Sequence, residues 1–277
     1  NKTAFYVFDI GKLKARIAHL QAALPPEVVL CYAVKANTFI TKELIDTIHR
    51  FEICSPGEAE ICRAVGVPSE NMVISGVYKT PEVMEAMVAD LDFSPIYTVE
   101  SLEQYELFRR LAKQYDRTLP LLLRLTNGSQ FGINKGDIEA IVARRGETPE
   151  LDILGIQFFS GTQKTSLKKL KREVGKLDDL LTLLEEKYGF VAQELEYGPG
   201  FPVNYFQSDE LDEAELLSGF SELLRDMIHH PKVTLELGRS IAASCGTYYT
   251  HIVDLKRNQE QNYALVDGGM HHLVYFG

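Results

Sequence analysis

Short runs of β-branched and other apolar residues alternate with amphipathic stretches along most of the chain, the rhythm of an α/β protein. A helix is predicted over residues 11–23, followed by an apolar strand run over 28–34. Further strands are predicted to start near Phe51, Met72, Pro95, Leu119, Leu151, Ala192 and Val233, eight in all. Helical patterns fill the gaps over 42–50, 57–65, 81–90, 102–115, 137–145, 166–188 and 210–229. Local signals agree with that parse. Thr80 before Pro81 is an N-cap with proline at the first helical position, and Ser101 with Gln104 has capping-box spacing. Leu167, Leu170, Val174, Leu177, Leu181 and Leu184 recur every three or four positions and set one apolar stripe on the longest helix, which reads as core.

Eight strands with crossover helices predict a closed (β/α)8 barrel, although a doubly wound open sheet would give the same rhythm. The tail breaks the pattern. Residues 247–254 and 263–267 are strand-like with no helix between them, which points to antiparallel pairing. The expected division is therefore a barrel over 1–240 and the first strands of a β-domain over 241–277. About 30 residues are too few for an independent domain, so these strands either pack on the barrel or continue past Gly277.

Composition narrows the function. The chain has 277 residues, 45% of them apolar, and its 29 basic against 39 acidic residues leave a net charge of −10 with no basic stripe. That balance argues against nucleic acid or an anionic membrane as partner and favours small-molecule chemistry. No apolar run approaches the roughly 20 residues that span a bilayer, and a soluble protein is expected. Cys31, Cys54, Cys62 and Cys245 form neither a CxxC pair nor a disulfide framework, in keeping with a reducing cytoplasm.

Barrel enzymes place their chemistry where strands end. Lys35 ends the first strand, Glu52 and Ser55 the second, Ser75 the third and Arg124 the fifth. Gly161 and Thr162 follow the sixth, Gly198 and Gly200 the seventh, and Glu236 with Arg239 ends the eighth. A lysine directly after Leu30-Cys31-Tyr32-Ala33-Val34 would sit at a desolvated mouth, where its ammonium pKa should fall and its amine could turn nucleophilic; the plainer alternative is a snorkelling lysine. Gly198-Pro199-Gly200 could cradle phosphate, with Arg239 closing on the same anion or forming a surface ion pair. Glu236, inside an apolar run, needs a cationic partner, either a protonated ring nitrogen or an arginine such as Arg124. No metal is expected at His271-His272, since neighbours on a strand face opposite sides, or at His229-His230, at a helix end.

Taken together, Tyr32-Ala33-Val34-Lys35-Ala36-Asn37, Phe159-Ser160-Gly161-Thr162-Gln163, Gly198-Pro199-Gly200-Phe201-Pro202, Glu236-Leu237-Gly238-Arg239 and Asp267-Gly268-Gly269-Met270 stand in the order and spacing of a known group. The chain resembles the fold-type III pyridoxal-phosphate-dependent amino-acid decarboxylases, which include the diaminopimelate, ornithine and arginine enzymes. The resemblance implies a TIM-type (β/α)8 barrel like that of alanine racemase, a C-terminal β-domain, and a homodimer with shared active sites. It implies pyridoxal 5'-phosphate as cofactor and an amino-acid-like small molecule as substrate. Carried over by position, Lys35 would be the Schiff-base lysine and Glu236 the partner of the pyridinium nitrogen. Thr162, Gly198, Gly200 and Arg239 would hold the phosphate. Glu52, Ser55 and Arg124 would line the cofactor's other edge, and Glu58 matches a family carboxylate nearby. Ser75 has no motif behind it.

Departures from the family pattern carry their own expectations. Phe159 stands where the family has histidine; it can stack on the cofactor ring but cannot carry a proton. Pro199 replaces a glycine and deletes one backbone donor from the phosphate grip. Leu237 replaces a proline. The family's C-terminal segment with a cysteine and an acid, which enters the partner's site, has no counterpart before Gly277. An amino-acid racemase, or a non-catalytic cofactor-binding relative, remain the alternatives; the carboxylate at position 236 separates the decarboxylase from the racemase, in which the family has arginine.

Overall fold

The computed structural model describes residues 3–205 and 211–273. Its elements run β1 (Phe5–Phe8), α1 (Ile10–Ala23), β2 (Val29–Ala33), β3 (Arg50–Ile53), α2 (Pro56–Val65), β4 (Met72–Ile74), α3 (Pro81–Ala89), β5 (Ile96–Val99), α4 (Leu102–Gln114) and β6 (Leu119–Leu125). They continue with α5 (Lys135–Ala143), β7 (Leu151–Phe159), α6 (Leu167–Tyr188), β8 (Glu194–Gly198), α7 (Glu213–Arg225), β9 (Lys232–Leu237), the single turn α8 (Arg239–Ala242), β10 (Gly246–Tyr249), β11 (Ile252–Asn258) and β12 (Gln261–Val266). Strands β2 to β9 form a closed parallel barrel, with β9 pairing back onto β2 so that Cys31 lies opposite both Arg50 and Glu236. Closure settles the choice between a barrel and an open sheet.

The helices form where their caps begin them. The side chains of Ser55, Thr80 and Ser101 accept from the backbone N–H groups of Glu58, Val83 and Gln104, and proline follows at the first position of α2 and α3. On α6, Leu170, Val174, Leu177, Leu181 and Leu184 are buried against the barrel as the stripe predicts. Asp178 on the same helix accepts from the N–H groups of Ile228 and His229, so it caps the chain leaving α7. Arg16 on α1 makes a two-point ion pair with Glu213 on α7 and donates to Ser240 O, bracing the turn that carries Arg239. No described helix is long and apolar enough to cross a membrane.

Several expectations shift. The helix over 42–50 is absent, replaced by a 3-10 segment over Thr38–Leu44. Ile40, Leu44 and Ile48 are buried at the spacing that suggested a helix. Asn37, however, caps the N–H of Phe39 and starts the turn earlier and tighter. The pattern over 210–229 becomes α7 from Glu213, capped by Asp212, and its expected start at Glu210 lies outside the described residues. The run over 247–254 splits at Thr250 and His251, because both bind Asp267 instead of extending a strand. Its first half, β10, pairs antiparallel with β1, an element the periodicity does not single out. Strands β11 and β12 pair with each other as a hairpin exposed along its length. His271 and His272 lie in a turn with ring centroids 3.9 Å apart, not on opposite faces of a strand.

Strands β7 and β8 leave no room for a side chain at Gly155, where a Cβ would lie 1.8 Å from Glu194 O. Gly155→Ala is expected to destabilise the fold by about 1–3 kcal/mol through overpacking. The shift of the urea midpoint at unchanged slope measures it, and an unchanged midpoint would show that the two strands can part.

Candidate active site

The side chain that opens the site follows β2 directly. Lys35 sits in the 3-10 turn Val34–Ala36, and its Nζ donates to Glu52 Oε2 at 2.7 Å and to Glu236 Oε1 at 2.9 Å. Both carboxylates are buried and come from the strands flanking β2, so barrel closure is what brings 35, 52 and 236 together. Glu52 Oε1 faces two more donors, Ser75 Oγ and Cys54 Sγ. The Lys35 side chain keeps 43% of its surface open to a cavity of about 440 Å³. Phe159 lies across from it, 5.6 Å from Nζ to the ring centroid.

Electrostatics overturn one expectation. Burial pulls the Lys35 amine toward its neutral form, but the charges of Glu236 and Glu52 together with the hydrogen bond that Lys35 donates to Glu52 outweigh it, and the pKa is raised, not lowered. A desolvated mouth would depress the pKa only if it lacked anions. Burial also raises Glu52, yet Lys35 and the donors on it bring its pKa below normal. Glu236 ends above normal, driven by burial and by the charge of Glu52, so of the two it holds a proton more readily. Burial and the neighbouring Glu52 push the Cys54 thiol up as well.

The far end of the cavity is built from two loops. Thr162, Gly200 and Arg239 line it, and the Arg239 guanidinium lies 5.8 Å from the Tyr205 ring. Lys164 N–H donates to Gly200 O, while the Gln163 amide both accepts from Val203 N–H at 2.8 Å and donates to Val203 O at 3.1 Å. Gly200 has φ +66°, and a Cβ there would sit 2.0 Å from Gly161 O. Only glycine permits that approach. Beneath the loops, Lys164, Ser160 and Tyr197 converge on Glu173.

Lys35, Phe159, Thr162, Gly200, Glu236 and Arg239 thus share one cavity. Glu52 stands behind the lysine, and Gly198 makes room for Phe159, whose Cδ2 would lie 2.4 Å from a Cβ at that position. Ser55, Glu58 and Arg124 do not line this cavity. The Ser55 hydroxyl is taken up capping α2, and Glu58 accepts from Cys54 N–H at 2.7 Å. Arg124 pairs with Glu100 at 3.2 Å and lies over the Phe131 ring, so Glu236 takes Lys35 and not Arg124 as its cation. Ser75 belongs to the site after all: its strand-end position was the available signal, and its contact with Glu52 supplies the reason. Cys54, one residue past β3, had no signal beyond that place.

Comparison with known proteins follows the same lines. The family model described as "Pyridoxal-dependent decarboxylase, pyridoxal binding domain" matches residues 10–243. Diaminopimelate decarboxylase of Pseudomonas aeruginosa is 29% identical over 296 residues, covering 98% of this chain and 69% of its own length. A crystal structure from Aquifex aeolicus aligns with TM-score 0.85 and 28% identity over 96% of this chain and 65% of its own. Lysine/ornithine decarboxylase of Vibrio vulnificus, solved with putrescine, has the same fold at TM-score 0.85 and 22% identity, over 97% of this chain and 72% of its own. The chain spans about two thirds of the length of these relatives.

Lys79 completes the surroundings of Arg124. Its side chain is almost wholly enclosed, and its Nζ donates to Gly76 O at 2.6 Å and Thr98 Oγ1 at 3.2 Å, with Glu100 at 3.8 Å. Burial and the Arg124 charge, opposed by Glu100, bring its pKa from 10.5 to about 8. Between those values the unfolded chain holds a proton that the folded chain has released, so the Lys79 contribution to stability rises with pH across the window. Lys79→Met removes it. The wild-type minus variant difference in unfolding free energy is expected to rise from pH 8 to pH 10.5, and a flat difference in urea melts would contradict the assignment.

Proposed function

Because the chain belongs to the pyridoxal-dependent decarboxylase family, residues 10–243 matching its pyridoxal-binding domain, we propose that it holds pyridoxal 5'-phosphate on Lys35 and removes the carboxylate of an amino acid or amino-acid derivative as carbon dioxide. The observation that carries this reading is the Lys35 amine set between Glu52 and Glu236, with Arg239 lining the same cavity. The donor set fits the cofactor. An amine for its aldehyde, a buried carboxylate for its ring nitrogen and an aromatic ring for its face line one cavity with a guanidinium for its phosphate, and the loops around Gly161 and Gly200 approach as only glycine allows.

Bound there, pyridoxal phosphate supplies an electron sink for the pair released when a carbon–carboxylate bond breaks. The protein's part follows from its own residues. Lys35 must shed a proton before its nitrogen can attack, and Glu236 Oε1, 2.9 Å away with raised proton affinity, is the acceptor in place. Glu52, fixed by Ser75 and Cys54, keeps its charge and steadies the amine. With that proton passed on, Glu236 would again be the anion that keeps a ring nitrogen protonated. A carboxylate at this point supports decarboxylation over racemisation. Phe159 offers an apolar face and no proton. Thr162, Gly200 and Arg239 take the phosphate; Pro199 contributes no N–H, which leaves Arg239 a larger share of the grip.

The barrel through residue 240 is the cofactor-binding unit in this reading, and 241–277 begins a β-unit that the N-terminal strand β1 joins through its pairing with β10. The hairpin β11–β12, whose described residues pair only with each other, supports that division. A homodimer is part of the same proposal; Phe39 on the 3-10 segment after β2 and Tyr78 on the loop after β4, 85% and 80% exposed, offer apolar surface for it.

Borohydride treatment of the cofactor-loaded protein is expected to fix the pyridoxyl group on Lys35, read by peptide mass mapping, and a label on any other lysine would overturn the assignment. Arg239→Ala is expected to weaken pyridoxal phosphate binding roughly ten- to a hundredfold while leaving unphosphorylated pyridoxal unaffected. Carbon dioxide release that outpaces substrate racemisation selects the decarboxylase.

A further inference from the structure

The barrel interior below Lys35 is unusually acidic. Glu194 and Glu196 of β8 are buried there together with Glu52 and Glu236. Lys35 pairs with Glu52 and Glu236, and Arg50 pairs with Glu194 at 3.1 Å. Among the described residues no cation lies within ion-pair distance of Glu196. Its one hydrogen bond comes from Gln157 Nε2, which donates to Glu196 Oε1 at 2.6 Å. The two remaining oxygens of this pair, Glu196 Oε2 and Gln157 Oε1, are fully enclosed and have no donor. Both are acceptors on the same two side chains, and enclosed acceptors seldom go unpaired.

A single hydrogen atom accounts for both. We propose that Glu196 is a neutral carboxylic acid in the folded protein, its Oε2 proton donated to Gln157 Oε1, and that it acts as a positioning residue that keeps a second negative charge away from Glu236. The acid and the amide then form a closed pair, each donating once and accepting once. A water molecule donating to both oxygens would satisfy them too, but it would leave an uncompensated charge in the barrel core. The titratable and charged groups facing Glu196 are Glu236 on β9, Glu194 on its own strand, Arg50 on β3 and the Cys31 thiol on β2. The two carboxylates favour the neutral form, and Arg50 opposes them.

Burial first, and then the charge of Glu236, push the Glu196 pKa up to about 8. The acid is therefore neutral at pH 7 and ionises as pH rises through that value. Its new charge makes the potential around Glu236 more negative, which raises the proton affinity of that carboxyl and strengthens its hold on a cation in the cavity. That consequence rests on Glu236 serving the cofactor nitrogen; the protonation of Glu196 itself does not.

The experiment is infrared spectroscopy of cofactor-free protein, wild type against Glu196→Gln. An amide at this position reproduces the donor and acceptor of the acid, so the variant keeps both hydrogen bonds. The wild type is expected to show a protonated-carboxyl carbonyl band at pH 7 that is missing in Glu196→Gln and disappears as pH is raised through about 8. Carboxyl-carbon nuclear magnetic resonance of protein labelled at glutamate follows the same titration, its resonance assigned to Glu196 by its loss in Glu196→Gln. Absence of a neutral glutamic acid at pH 7 by either method overturns the proposal. Pyridoxal phosphate affinity, read from its absorbance, is expected to fall less steeply with pH above that point in the wild type than in Glu196→Gln; superimposable profiles would remove the positioning role. Wild-type protein that takes up no cofactor at any pH would instead count against the proposed function, with the infrared band still deciding Glu196.

Discussion

The ammonium of Lys35 between Glu52 and Glu236 is the interaction on which the rest of the site depends. Two carboxylates buried in a barrel are costly unless a cation meets both, and Lys35 does so at 2.7 and 2.9 Å. The same arrangement makes the lysine a poor nucleophile until a proton leaves it. Reactivity is thus held in the charge balance of three side chains: the amine is stabilised as a cation, and the group best placed to relieve it of a proton is Glu236, whose affinity is already raised. A ligand that brings its own cation to Glu236 would release the lysine from half of its restraint.

Strand geometry makes that balance possible. Alternation along β3 puts Arg50 and Glu52 on one face and Phe51 in the apolar layer under the helices. On β8, Glu194 and Glu196 face inward while Leu195 and Tyr197 join the core. The barrel thus holds a cluster of charged groups beside a separate apolar cluster of Val73, Ile96, Leu122 and Leu154, all inside an apolar sleeve. Each charge within it must be matched by a partner or removed by protonation, which ties groups at the floor of the barrel to the chemistry at its mouth.

Beyond the charged cluster, the cavity's other wall is held by backbone contacts between loops. Gln163 spans to Val203 with both ends of its amide, Lys164 N–H reaches Gly200 O, and Gly200 passes against Gly161. Arg16, through Glu213 and Ser240 O, steadies the turn from which Arg239 extends. The proposed phosphate-binding end would draw its order from the scaffold, with Pro199 lacking the N–H that a glycine would offer.

The order of strands and helices, the glycine turns, and the placement of Lys35, Thr162, Gly200, Glu236 and Arg239 at strand ends were legible in the sequence, because periodicity and capping are local and strand ends are where a barrel exposes its loops. Only the tertiary structure could decide closure, since β9 meets β2 across nearly the whole chain. It alone decided that Lys35 is held charged and that Arg124 turns to Glu100, because a pKa or an ion pair depends on which groups from distant strands come within a few ångströms. Ser55 shows the limit from the other side: its position suggested ligand contact, but the nearest need of a serine before a helix is to cap it. Sequence specifies which groups are available along each strand, and packing selects their partners, because electrostatic and hydrogen-bond energies fall off with distances that the chain's linear order does not contain.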